Sequence, residues 1–257
     1  LNAFFLFVLH KGVAGVATAT VISRIINLVI VVLLGAVLVK AKQHPERESN
    51  REVMGQIIRI GLPSACETAI YNVSMTLVIR FLNQMDAQGL NVTARSYTMQ
   101  ITNFSYCVGA ALAQANAIMT GWHIGAKEYD ACDRGTRKAA IIGVIVAVIL
   151  ETMFALCSGW IMQLFSKDPQ MVSLVGKLLA IDIVLEMGRV TNLVYGQALK
   201  TSGDAVFPVV MGACFMILCS VGGTYLFGIR LGLLAVGAYI GMAGDECVRA
   251  VGMYLRW

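Results

Sequence analysis

The chain has 257 residues, of which 58% are hydrophobic and 14% charged, with a formal net charge of +5 and a mean hydropathy of +0.73. A soluble domain carries about 25% charged residues, so a core assembled in water is excluded and an integral membrane protein is indicated. The small positive excess gathers in two loops, as orientation signals do, and requires no nucleic acid partner.

The opening run LNAFFLFVLH lacks a basic n-region and a cleavage site, so it reads as the tail of a helix rather than as a signal peptide. A membrane span needs about 20 mostly apolar residues. By that measure the chain holds a span at 12–40, then six more at 57–82, 93–119, 136–165, 171–199, 205–227 and 231–255. Strand-type alternation is absent, which leaves helices as the spanning element. The fold class expected is all-α and polytopic.

Orientation follows from Lys and Arg. Lys40, Lys42, Arg47, Arg51 and Arg59 flank or fill one loop, and Lys127, Arg134, Arg137 and Lys138 another, whereas residues 83–94 hold no basic residue. The positive-inside rule makes the two basic loops cytoplasmic, including 41–56. Counting spans onward makes the Lys200 loop and the C-terminus cytoplasmic too. The expected location is the cell membrane, with the lipid bilayer as a partner.

A faint internal repeat links GVAGVATATVI from Gly12 with GLLAVGAYIGM from Gly232, which implies a period of roughly 220 residues. On that reading 57–257 is a complete six-helix lobe, 41–56 is an interlobe loop, and 1–40 is the end of a preceding lobe. The rest of that lobe, on the same polypeptide, is an expected partner. Parallel repeats of six helices are a transporter architecture.

The polar residues inside the spans carry the function. In GLPSACETAIYN, Glu67 lies four residues from both Pro63 and Tyr71, so the three share a helix face, with Asn72 just beyond. A charge at the centre of a bilayer costs roughly 2.5–3.5 kcal/mol even on the lenient insertion scale. Such a face must look into a cavity or onto another helix. There Glu67 could bind a proton or a small cation, or serve as a structural carboxylate satisfied by a neighbour. In AIDIVLEMGRVTN, Asp182, Glu186 and Arg189 stack on one side of a helix, with Asn192 continuing it. Glu186 and Arg189 can pair within the helix, either to brace the bundle or to line a site, and Asp182 can lie close enough to the outer surface to be wet. Tyr97, Gln100 and Asn103 lie at helical spacing, either as interhelical glue or as cavity groups. Glu151 stands alone in VAVILETMFAL, and Asp245, Glu246 and Arg249 read as an interface or internal pair.

The seven cysteines show no metal-ligand spacing and read as packing thiols. His10, His44 and His123 form no ligand set. No HExxH, GxSxG or P-loop occurs, so an enzyme is not indicated, no cofactor or metal is expected, and any active transport is secondary.

At this point the residues resemble a known family. GLPSACETAIYNVS, ARSYTMQITNF, GWHIGAKEYDAC and LEMGRVTNLVYGQALKTSGDAVFP are similar to the second half of a multidrug and toxic compound extrusion (MATE) transporter, and KGVAGVATATVISR resembles that family's junction of helices five and six. The resemblance implies twelve helices in two six-helix lobes around a central cleft. It implies export of organic, often cationic, compounds against protons or sodium as the coupling ion, from a bacterial inner membrane. Glu67 then matches a cation-coupling carboxylate of the family's seventh helix, with Glu186 and Asp182 as further coupling candidates on the tenth. Tyr71, Asn72, Tyr97, Gln100, Asn103, Arg189 and Asn192 are the candidates to line the substrate cavity. A flippase for lipid-linked saccharides in the same superfamily would need several inward cations, whereas acids are expected here to outnumber bases within the spans. A non-transporting scaffold would satisfy its acids by helix contacts and leave no continuous cavity.

Overall fold

The computed structural model describes residues 5, 12–38, 50–86 and 89–257. Among them no strand occurs. In chain order the helices are α1 (Gly12–Leu38), α2 (Asn50–Met85), α3 (Leu90–Gly125), α4 (Tyr129–Leu156), the short α5 (Ser158–Gln163), α6 (Pro169–Thr201), α7 (Val206–Phe215) and α8 (Leu234–Arg256). α7 runs on through π-helical turns at Met216–Val221 and Thr224–Arg230. The all-α membrane fold is present, and each of the seven expected spans has its helix. His10, His44, residues 41–49 and the opening stub apart from Phe5 lie outside the described residues.

The helices are longer than the apolar windows. α2 starts at Asn50, within the stretch expected as loop, and α3 runs to Gly125. Hydropathy marks where lipid can begin, not where hydrogen bonding begins, so polar helical ends escape it. Three helical stretches are apolar enough to cross a membrane by composition: Ala17–Gly35, Tyr129–Leu156 and Val206–Arg230. The others carry charges inward. The expected span 136–165 breaks at Cys157, just before Ser158 and Gly159, and resumes as α5.

The chain forms two compact units, 1–53 and 54–257. In the first, α1 exposes apolar side chains such as Val21, Leu28 and Val31 and buries Ala19. In the second, α6 is the central helix and packs against α3, α4, α5, α7 and α8. One apolar cluster joins Val78 and Leu82 of α2, Ile101 of α3, Leu178 and Leu185 of α6, and Tyr239 and Met242 of α8. Another joins Ala113, Ala140, Ala147, Val190, Val194 and Met253. With no driving force to separate helices from lipid tails, close backbone approach matters. A Cβ on Gly188 would lie 2.8 Å from the Glu246 carbonyl carbon, and one on Gly241 would lie 2.9 Å from that of Gly223. These glycines let α8 sit against both α6 and the π-helical part of α7.

Three chain segments meet at one end of this unit. Arg256 Nε donates to Asp204 Oδ2 at 2.8 Å, and Trp257 Nε1 donates to Asp133 Oδ1 at 3.0 Å. The start of α4, the α6–α7 junction and the C-terminus therefore share an end, as the charge rule requires of segments on one membrane side. The seven cysteines are free, but Cys132 is the one buried thiol, while Cys66, Cys107, Cys157 and Cys214 are exposed. Those four are exposed rather than packing the interior.

Candidate functional site

α6 is fixed at both ends. Asp168 caps it by accepting the Gln170 backbone N–H at 3.0 Å, with Pro169 at its first position. At the far end Gly203 takes φ +100°, a left-handed conformation that suits glycine, and the Asp204 N–H returns to the Leu199 carbonyl. Between these caps the helix period carries Asp182, Arg189, Leu193, Gly196, Gln197 and Lys200 down one face.

That face borders a cavity of about 580 Å³ within the 54–257 unit. α2 contributes Glu67, Tyr71, Asn72 and Met75, and α3 contributes Arg95, Met99, Thr102, Asn103 and Tyr106. α8 brings Tyr239, Met242, Asp245, Glu246 and Arg249, while Met216 and Ser220 come from the π-helical continuation of α7. α2 stays helical through Pro63, so Glu67 and Tyr71 do share one side.

The charges sort into linked groups. Lys200 Nζ donates to Glu67 Oε2 at 2.6 Å, joining α6 to α2. Arg189 Nη1 donates to Glu186 Oε2 at 2.8 Å, and its Nε lies 3.6 Å from Glu246 Oε1. Arg249 holds both Glu246 Oε2 and the Asp245 carboxylate at 3.0 Å. Asn192 Nδ2 donates to Glu246 Oε2 at 2.7 Å, and Ser220 Oγ donates to Asp245 Oδ2 at 2.9 Å. A continuous network thus runs from Glu186 through Arg189, Glu246, Arg249 and Asp245 to Ser220. Pairing of this kind is how charges are retained in a membrane interior. Arg189 also lies 6.0 Å from the Tyr106 ring centroid, within cation–π range.

Of the sequence candidates, Glu67, Tyr71, Asn72, Asn103, Asp182, Arg189 and Asn192 border the cavity. Glu186 sits behind it, fully buried against Arg189. Tyr97 and Gln100 do not reach it. Tyr97 packs on Phe165 with ring centroids 5.4 Å apart, and Gln100 is exposed on the outer side. The inner face of α3 runs through residues 95, 99, 102, 103 and 106, a helical stripe rotated away from both. Asp182 is not near a wet surface but 97% buried, because α6 is enclosed on several sides. Asp245, Glu246 and Arg249 form an internal network.

Sequence reasoning missed Arg95 and Lys200. With them, four acids and four bases border the cavity, so acids do not outnumber bases there. A basic residue within the 93–119 span was the available signal for Arg95. Lys200 lies in the last turn of α6 and not in the loop expected after residue 199.

A family model described as MatE matches residues 63–226. The "Uncharacterized transporter YisQ" of Bacillus subtilis (strain 168) is 34% identical over 96% of this chain and 54% of its own length. The "Probable multidrug resistance protein NorM" of Pasteurella multocida (strain Pm70) is 23% identical over 80% of this chain and 45% of its own. The chain spans about half the length of the curated relatives it matches. Among solved structures, the eukaryotic MATE transporter AtDTX14 superposes with a TM-score of 0.86 at 17% identity, over 100% of this chain and 58% of that one. A MATE crystal structure in the straight conformation gives 0.83 at 19% identity, with the same coverage.

Proposed function

The chain belongs to the MatE family, and we propose that it works in a secondary antiporter that exports small organic compounds bearing a positive charge in exchange for protons or sodium. Members of the family are transporters, not enzymes, and no cofactor enters this reading. The observation that carries it is the cavity of about 580 Å³ with Glu67 in its wall. That volume suits a drug-sized ligand, and its lining mixes charged and amide groups with Met and Tyr side chains. Met75, Met99, Met216 and Met242 border it and adapt to varied shapes. Asp182 borders the same space, and its Oδ2 has no hydrogen-bond partner among the described residues.

The cavity also separates this reading from its rivals. A scaffold would leave its acids against helices with no drug-sized space beside them. A carrier of pyrophosphate-linked saccharides would need several free cations, whereas Arg189, Arg249 and Lys200 are already bound to acids. Either coupling ion, a proton or sodium, would compete with the Lys200 ammonium for the Glu67 carboxylate.

The chain acts as one lobe of a cleft whose other wall comes from a preceding lobe, in keeping with its share of its relatives' length. It lies in a bacterial cell membrane, with the end that holds Asp133, Asp204 and Trp257 towards the cytoplasm. The test is uptake of ethidium by everted vesicles that carry the chain together with that lobe, with pH and sodium varied separately. Uptake driven by one of the two gradients is expected, and its loss in Glu67→Gln. Gradient-driven uptake untouched by Glu67→Gln counts against the coupling role, and no uptake under either gradient counts against export.

A further inference from the structure

Glu151 of α4 lies outside the cavity lining and is fully buried, and neither Oε1 nor Oε2 has a hydrogen-bond partner among the described residues. Its polar neighbours come from the two long helices packed on α4. α3 brings Ser105, and α6 brings Asp182, Glu186 and Arg189. The short α5, also against α4, holds no titratable side chain. Arg189 is bound to Glu186 at 2.8 Å and reaches Glu246 at 3.6 Å, and it makes no ion pair with Glu151. The oxygens around Glu151 lack partners as well: Ser105 Oγ, Asp182 Oδ2 and Glu186 Oε1 are all buried without a hydrogen bond. Of the three acids, Asp182 alone borders the cavity. Among the described residues no three acids stand close enough to hold one metal ion. A proton is less demanding, since one carboxylate and one acceptor suffice.

An ionised carboxylate with neither a donor nor a counter-cation is costly in an apolar interior, and it takes up a proton instead. The O–H of a neutral Glu151 is the donor this cluster lacks, and the Ser105 hydroxyl can accept it. We propose that Glu151 and Ser105 form a second proton-binding site of this chain, separate from Glu67 and opening to the cavity through Asp182. Glu67 sits on α2 with Lys200, so the two sites use different helices. On release, the O–H bond of Glu151 breaks and an O–H bond forms on Asp182. Glu151 is left a carboxylate and Asp182 a carboxylic acid, and the charge of the cluster is unchanged until Asp182 passes the proton to water in the cavity. The seam between α3 and α4 offers no second way out. Val190 fills it, clasped where Cβ atoms on Gly109 and Gly143 would lie 2.8 and 2.7 Å from its methyl groups. The site goes beyond the export reading and needs no substrate; in an antiporter it adds a second proton to the cycle.

The test is infrared difference spectroscopy on the purified full chain, with no substrate and no ion gradient, after a rapid jump from acid to mildly alkaline buffer. The C=O stretch of a neutral carboxylic acid is distinct from carboxylate and amide bands, so each proton released is a band lost. Wild type should lose a band that is absent at every pH in Glu151→Gln and retained in Glu67→Gln. Glutamine copies the size of the neutral acid, so the melting temperature of Glu151→Gln in acid buffer should match wild type. Ser105→Ala should keep the band but shift it to higher frequency, because the carboxyl group loses its hydrogen-bond partner. Asp182→Asn should keep the band and slow its loss about a hundredfold, the scale of one removed proton-transfer group. A band that never changes with pH marks a fixed neutral acid, and one that survives Glu151→Gln belongs to another residue. Either result overturns the proposal, as does the absence of any neutral-acid band. A Ser105→Ala spectrum identical to wild type, or an unchanged rate in Asp182→Asn, overturns the part given to that residue. Neither ethidium nor a gradient is present, so this site can fail while export at Glu67 holds, and the reverse.

Discussion

Lys200 Nζ and Glu67 Oε2 lie 2.6 Å apart although 133 residues of chain separate them. The pair ties the end of α6 to α2 at the cavity wall. Both side chains remain about one-fifth exposed, at 20% and 23%, so water weakens the link relative to a fully buried pair. Lys200→Met and Glu67→Gln should each lower stability by about 1–2 kcal/mol, with a smaller loss in the double substitution. A double-mutant cycle on thermal unfolding in detergent measures this, and additive losses would show that the pair is not energetically coupled. The same cycle on transport is expected to differ. If Glu67 carries the coupling ion, Glu67→Gln abolishes export whatever residue stands at 200.

Glu186 and Arg189 form the tighter pair. Glu186 is fully buried, and Arg189 also reaches Glu246 at 3.6 Å. Removing one member of a buried pair costs about 3–5 kcal/mol because the other charge is stranded. Arg189→Met should therefore lower expression and melting temperature more than Glu186→Gln, since it strands the Glu186 carboxylate, whereas Glu186→Gln leaves Arg189 its contact with Glu246. The double substitution should recover part of the loss, but not all, because Glu246 would then rely on Arg249 and Asn192. Full recovery would mean that the link from Arg189 to Glu246 contributes nothing.

The approximate places of the seven spans and the pairing of Glu186 with Arg189 were legible in the sequence, because each rests on local hydropathy or on a spacing within one helix. The Lys200–Glu67 contact was not legible, since nothing near residue 200 indicates which distant helix it meets. The inner face of α3 escaped for a different reason. Tyr97, Gln100 and Asn103 follow a helical line, as do Arg95, Met99, Thr102 and Tyr106, and the sequence does not say which line faces inward. Polar atoms on a membrane helix can be satisfied by a neighbouring helix as well as by a cavity. The ends of α2 and α3 were misplaced because hydropathy ignores helix that projects beyond lipid.

Two glycines of α6 should respond oppositely to the same change. A Cβ at Gly188 would press into the α8 backbone at Glu246 and Cys247, at 2.8 and 2.9 Å, where no flexible side chain can yield. Gly188→Ala should destabilise the bundle by about 1–3 kcal/mol through overpacking. A Cβ at Gly196 meets nothing within 4 Å. Gly196→Ala should be neutral or raise stability by about 0.4–1 kcal/mol by restricting the unfolded chain. Melting temperatures of the two variants in one detergent decide the matter. Equal losses would show that α6 and α8 are not held at the close approach the structure gives them.

The last prediction concerns residues 1–257 taken alone. The cavity of the 54–257 unit is bordered by α2, α3, α6, α7 and α8, so every lining group it has comes from this one unit. Binding should therefore survive in the isolated chain. Transport is different, because alternating access needs a second body for the lobe to move against, and the chain spans about half the length of its curated relatives. With no opposing wall, an ion that reaches Glu67 would release nothing across the bilayer. Proteoliposomes that contain residues 1–257 alone should bind ethidium yet show no flux of it under a pH or sodium gradient. Accumulation that depends on the gradient would mean that the chain, alone or as a self-associated pair, builds a complete cleft, and that a preceding lobe is not required.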